Sequence, residues 1–173
     1  MALTRVKSAG ATGGYLSSVA TSNMPTGSVL QVVSNINDTD IAITNDVSTF
    51  HDAVAQSITP SSTSNKILVF CSCAGDVQDG NYRAMRYRIT RAISGGATST
   101  IYERNYHMYG GNAGGTHNID NTEIMVLDSP STTSAITFTL QSSHQSGSSV
   151  SGTYNGYLNR YNKSTITLME IAG

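Results

Sequence analysis

Apolar and polar residues alternate with a period of two over short, turn-bounded stretches of this chain, the pattern of β-strands with one face turned to a core. The densest apolar run is 65–73, reading Asn-Lys-Ile-Leu-Val-Phe-Cys-Ser-Cys. It sets Ile67, Val69, Cys71 and Cys73 on one face against Leu68 and Phe70 on the other, and both faces read as covered. Its β-branched and aromatic side chains, entered through Pro60 and a Ser/Thr/Asn cluster, favour a central strand over a buried helix segment. The expected companion is 164–172, where Thr165, Thr167, Met169 and Ile171 alternate with Ile166, Leu168 and Glu170, so that the last residues close the sheet.

The rest of the chain follows the same habit. After a Pro25/Gly27 turn signal, 28–34 reads as the first strand, 35–40 as a polar break, 41–44 as a short strand and 57–60 as another. Residues 50–56 fit a helical turn or a strand. Residues 75–81, with Asp76 and Asp79, read as a loop; a calcium site asks for more oxygen ligands at closer spacing. Residues 82–91 form the second clear strand, with Met85, Tyr87 and Ile89 on one face and Arg86, Arg88 and Thr90 on the other. A Gly-Gly turn within 94–98 returns the chain into 100–108, and four glycines fill 110–117. Strands at 123–127 and 135–141 are joined by an Asp128-Ser129-Pro130 turn; 141–152 is a Ser/Gly/Gln tip, and Tyr154, Tyr157, Leu158 and Tyr161 lead into the last strand. About eight short strands with no sustained helical period predict an all-β fold, an antiparallel β-sandwich of jelly-roll-like form.

Residues 1–24 hold too few apolar side chains for a core element. They read either as a mobile terminus or as an extended arm that orders across a neighbouring subunit, with Arg5, Val6, Lys7, Tyr15 and Leu16 as its contacts. Residues 25–173 then make a single domain.

Composition narrows the function. Charged residues are 12 % of the chain, while 24 Ser and 21 Thr make a quarter of it hydroxyl-bearing, so the surface is neutral and polar. A net charge of −1 offers no basic face to neutralise phosphates, which argues against nucleic acid as a partner. No segment reaches the ~20 apolar residues that span a bilayer, and residues near Met1 lack a signal-peptide core, so no membrane partner is expected and the chain is expected to start there unprocessed. Cys71 and Cys73, two apart on one strand face, are poorly placed for a disulfide and read as reduced core hydrophobes. A zinc site would need two further soft ligands at proper spacing, so neither metal nor cofactor is expected.

Catalytic patterns are missing as well. Neither G-x-S-x-G nor H-E-x-x-H occurs, the glycine loop lacks the Lys-Ser/Thr of a phosphate cradle, and 11 acids in mainly turn-like contexts single out no carboxylate pair. A non-enzyme is expected. Two contact surfaces stand out instead. Arg86 and Arg88 form a basic strip that reads as a solvated or subunit-facing strand. Tyr102, Tyr106, His107, Tyr109 and His117 surround the glycine loop, which is either a sugar- or protein-contacting surface or the bend of a long hairpin.

Four segments carry a resemblance: 57–69 (Ser-Ile-Thr-Pro-Ser-Ser-Thr-Ser-Asn-Lys-Ile-Leu-Val), the strand 81–88, the closing 164–171 (Ser-Thr-Ile-Thr-Leu-Met-Glu-Ile), and 24–33 (Met-Pro-Thr-Gly-Ser-Val-Leu-Gln-Val-Val). In register from about residue 24 to the end, the chain resembles small virion structural proteins of tailed, notably marine, bacteriophages, of the capsid-decoration and tail-fibre type. The resemblance implies a β-sandwich subunit on the virion exterior, assembled as a homotrimer and bound to the major capsid protein or a tail component. It carries over no site residues. A head decoration protein would clamp capsomers with its arm; a fibre tip would touch host-surface glycans with its tyrosine and glycine loops. One compact unit without a preceding shaft favours decoration.

Overall fold

All of the 65–73 run after Asn65 lies inside β4 (Lys66–Gln78), the longest strand of the computed structural model, which describes residues 20, 23–44, 49–78, 83–108, 117–145 and 155–173. Ten strands occur among the described residues. β4 is their hub. Along one edge it pairs with β10 (Ser164–Ile171) and then, further on, with β9 (Asn155–Leu158); along the other it pairs with β7 (His117–Asp128) over its full length. β1 (Val29–Asn37) pairs with β10, and β2 (Ile41–Thr44) with β9. Thus β1 and β2 are one interrupted row of the first sheet, and β10 and β9 another.

The second sheet runs β3 (His51–Ile58), β8 (Ile136–Gln145), β5 (Arg83–Ile93), β6 (Thr98–Met108), and every pairing in both sheets is antiparallel. Counting each interrupted row as one strand, the sheets read first-eighth-third-sixth and second-seventh-fourth-fifth. That order is the double Greek key of a jelly roll, the expected fold.

Between the sheets lies the core. Ile67, Val69, Cys71 and Cys73 of β4 and Ile166 and Leu168 of β10 meet Met85, Tyr87 and Ile89 of β5 and Ile136, Phe138 and Leu140 of β8, all buried. Both cysteines are thiols outside any disulfide, and burial pushes the Cys71 thiol up to about 12.

Several boundaries differ from expectation. β4 continues through 75–78, where a loop was expected, because β7 and β9 supply hydrogen-bonding edges on both sides. Gly75 sits in this strand where a Cβ would stand 2.9 Å from the Tyr87 hydroxyl, so it is kept for space rather than for a turn. β1 runs on to Asn37, into the expected break at 35–40, because its Asn35 and Asn37 side chains reach the other sheet. Residues 50–56 resolve as strand, and β8 absorbs 142–145 of the low-complexity tip. The outer face of β4 is not covered: Leu68 is half-buried and Phe70 is 38 % exposed.

The two flanks of the sandwich are unlike. On the β1/β3 flank, Asn37 Nδ2 donates to the Ala53 carbonyl at 2.8 Å, Asn35 Nδ2 to Ala55 at 2.9 Å and Gln31 Nε2 to Thr59 at 2.8 Å. Alternate residues of β1 thereby take up carbonyls along the free edge of β3. The interruptions in the two rows lie side by side and share Asn159, a buried residue at φ 65° whose amide donates to Thr39 and Ala53 and whose Oδ1 accepts from Ser164 N.

Candidate functional site

The opposite flank, between edge strands β6 and β7, holds an open cleft of about 200 Å³. Tyr102 and Arg104 reach it from β6; Asn121, Thr122, Glu123 and Ile124 reach it from β7, and Tyr87 borders it from β5. Alternation explains the first pair. Tyr102 and Arg104 stand opposite Ile89 and Tyr87 of β5, on the face turned toward the first sheet, but at an edge where the core gives out. The result is a tyrosine ring beside a cation and a hydroxyl, with Asn121 and Glu123 at the rim on positions that alternate to the outer face of the first sheet. Such a lining offers a stacking face with donors and acceptors of both kinds, the means by which proteins hold neutral polyhydroxylated ligands.

Of the expected contact-loop residues, Tyr102 is therefore half-buried and borders the cleft rather than standing on a loop. Tyr106 and His107 occupy β6 opposite Met85 and Ala84, and His117 begins β7 opposite Gln78. Tyr109 lies outside the described residues, as do Arg5, Val6, Lys7, Tyr15 and Leu16 of the expected arm. Sequence reasoning missed Arg104, Asn121 and Glu123. The i, i+2 spacing of Tyr102 and Arg104 was a usable signal, whereas the β7 residues are brought in only by register.

Arg86 and Arg88 lie half-buried on the outer face of the second sheet. Arg86 pairs with Glu103 across β5 and β6, Arg88 Nε donates to Gln141 at 2.6 Å, and the Arg88 guanidinium stacks 3.7 Å from the centre of the Phe50 ring. The strip is thus bound up with acids, amides and an aromatic ring of its own chain. Arg91 turns the other way and bridges the sheets, its Nη1 2.9 Å from both carboxylate oxygens of Asp128.

The fold also brings a serine opposite a histidine. Ser142 of β8 pairs with His51 of β3, beside Asp52. The arrangement does not work as a nucleophilic triad. Asp52 accepts a 2.5 Å hydrogen bond from Gln141, a strand neighbour of Ser142 on the opposite face, and Ser142 is fully buried, out of reach of a substrate. Among the described residues no group of three or more His, Cys, Asp or Glu side chains comes together as a metal site.

No protein-family model matches the chain, and no curated protein matches it in sequence. Among solved structures it is similar to the VP2 subviral particle of infectious bursal disease virus, at a TM-score of 0.44 and 12 % identity over 82 % of this chain and 37 % of that one. Similar too are the T=1 particles derived from infectious bursal virus (TM-score 0.44, 11 % identity, 83 % and 36 % covered) and the T13 particle of the same virus (TM-score 0.37, 12 % identity, 83 % and 36 % covered). The chain spans little more than a third of the length of those structures.

Proposed function

We propose that the protein is a non-enzymatic structural component of a bacteriophage virion, displayed on the particle exterior, where it decorates the head as a homo-oligomer seated on the major capsid protein. The strand order carries this reading. A double-sheet jelly roll is an architecture that viral capsid domains share with lectins and cupins. The weakly charged, hydroxyl-rich composition suits a subunit held by shape rather than by ion pairs, and the four segments that resemble phage virion proteins point the same way. Residues 1–24 would serve as the arm that clamps neighbouring capsomers.

Antibody labelling of intact particles tests it. Label over the head is expected, together with release of the protein when residues 1–24 are deleted. Label confined to the tail, or none at all, overturns the decoration reading.

The β6/β7 cleft favours a second reading, in which the protein is a tail-fibre or receptor-binding tip that holds a host glycan against Tyr102. That reading expects glycan-array binding by the native protein, lost on Tyr102→Ala. A blank array removes it.

A further inference from the structure

The outer face of the first sheet is apolar where a solvated face would be polar. Cross-strand register lays out its rows: Val29, Ile171 and Lys66; then Val32, Met169, Leu68 and Leu127; then Ser34, Thr167, Phe70 and Met125; then Ile36, Thr165, Ser72 and Glu123. Four of these side chains are more than half exposed, Val32 at 54 %, Leu127 at 54 %, Ile36 at 61 % and Met125 at 68 %. Of the seven large exposed hydrophobic residues among those described, six lie on this face. The outer face of the second sheet carries Arg86, Arg88, Gln141 and Glu103 instead.

We propose that a second copy of this chain covers this face, sheet against sheet, about a two-fold axis that crosses the strands between the Val32–Leu127 row and the Ser34–Met125 row. The pattern is complementary to itself under that operation. Leu127 of one copy meets Met125 of the other, Leu68 meets Phe70, and Val29 at one end of β1 meets Ile36 at the other. Lys66 and Glu123 are the charged residues of these rows, at opposite ends of neighbouring strands; the axis sets each Lys66 only about one strand spacing, ~4.8 Å, to the side of the other copy's Glu123, across a sheet-to-sheet gap of ~10 Å that the two long side chains bridge. A two-fold axis along the strands would leave those charges about 20 Å apart, three rows at ~7 Å each.

Symmetry supplies a second argument. A closed trimer needs two different patches on each subunit, while a two-fold contact uses one patch twice. The described residues present one large apolar patch. At roughly 15 by 20 Å it is smaller than the ~800 Å² per partner of a standard interface, so the pair dissociates at accessible concentrations. The proposal rests on the homo-oligomeric part of the reading above and is indifferent to head or tail, because it is read in solution without a particle.

Sedimentation equilibrium of the full chain is the test. A reversible approach to twice the 18.3 kDa chain mass is expected over the micromolar range. Met125→Lys, and independently Val32→Lys, should weaken the dimer at least tenfold while far-UV circular dichroism stays native, since both side chains are already exposed. Lys66→Glu and Glu123→Lys should each weaken it several-fold, and the double exchange should restore it. A monomer or a trimer at all concentrations, a dimer indifferent to Met125→Lys, or a double exchange without recovery overturns the proposal. A monomer whose Met125→Lys variant instead fails to bind particles would assign the face to another virion protein.

Discussion

The side-chain amide of Asn65 donates a 2.6 Å hydrogen bond to the buried carboxylate of Glu170, 105 residues further along the chain. The same carboxylate accepts from Ser61 N at 2.6 Å, Ser61 Oγ at 2.9 Å and Gln31 Nε2 at 2.6 Å, so one charge ties β1, β10 and the connection from β3 to β4 together. Burial alone would raise its pKa, but the donors from Asn65, Gln31 and Ser61 outweigh burial and hold it below the ordinary carboxylate range. The unfolded chain therefore takes up this proton more readily than the folded one. Its stabilising effect is complete above the unfolded-state value of about 4.3 and declines as pH falls toward the lower folded-state value. Urea melts of wild type and Glu170→Gln should differ by about 2 kcal/mol at neutral pH and converge in acid.

Gly75 and Tyr87 compete for the same space. Gly75→Ala should cost about 1–2 kcal/mol, since the new methyl meets a hydroxyl on a buried ring. Tyr87→Phe removes the hydroxyl, so the cost of the alanine should shrink in that background. A double-mutant cycle by thermal melting reads the coupling; strict additivity would refute it.

Asn159 works through both its backbone and its amide. At φ 65° an alanine is strained by ~1–2 kcal/mol where glycine is not, and either substitution loses the bonds to Thr39, Ala53 and Ser164. Both variants should be destabilised, with Asn159→Ala the worse by about 1 kcal/mol in chemical denaturation.

Cys71 should be inert in the folded protein. With its thiol pushed up to about 12 by burial and Cys73 fully buried beside it, a thiol reagent at about pH 8 should find neither until the chain is unfolded, and then both. Labelling followed by mass spectrometry, with and without denaturant, checks this directly.

The period-two pattern makes the core legible from the residues alone. The inward sets on β4, β5 and β10 follow from alternation, and the turn residues separate the strands. Alternation does not say whether a face is covered, which is why Leu68 and Phe70 read as core yet lie at the surface. Nor does it carry register, which alone assembles Asn121 and Glu123 with Arg104, or sets Val32, Met169, Leu68 and Leu127 in a row. The polar break at 38–40 is legible, but the one at 159–163 is hidden for a related reason: it depends on Asn159 bonding to segments more than a hundred residues away.

The side-chain amides along β3 decide how copies of this protein do not meet. A bare sheet edge is a template on which another chain can lay down a strand, and repeated addition of that kind ends in fibres. Here Gln31, Asn35 and Asn37 already occupy carbonyls at Thr59, Ala55 and Ala53. Copies of this chain are thereby steered away from open-ended strand addition on this flank.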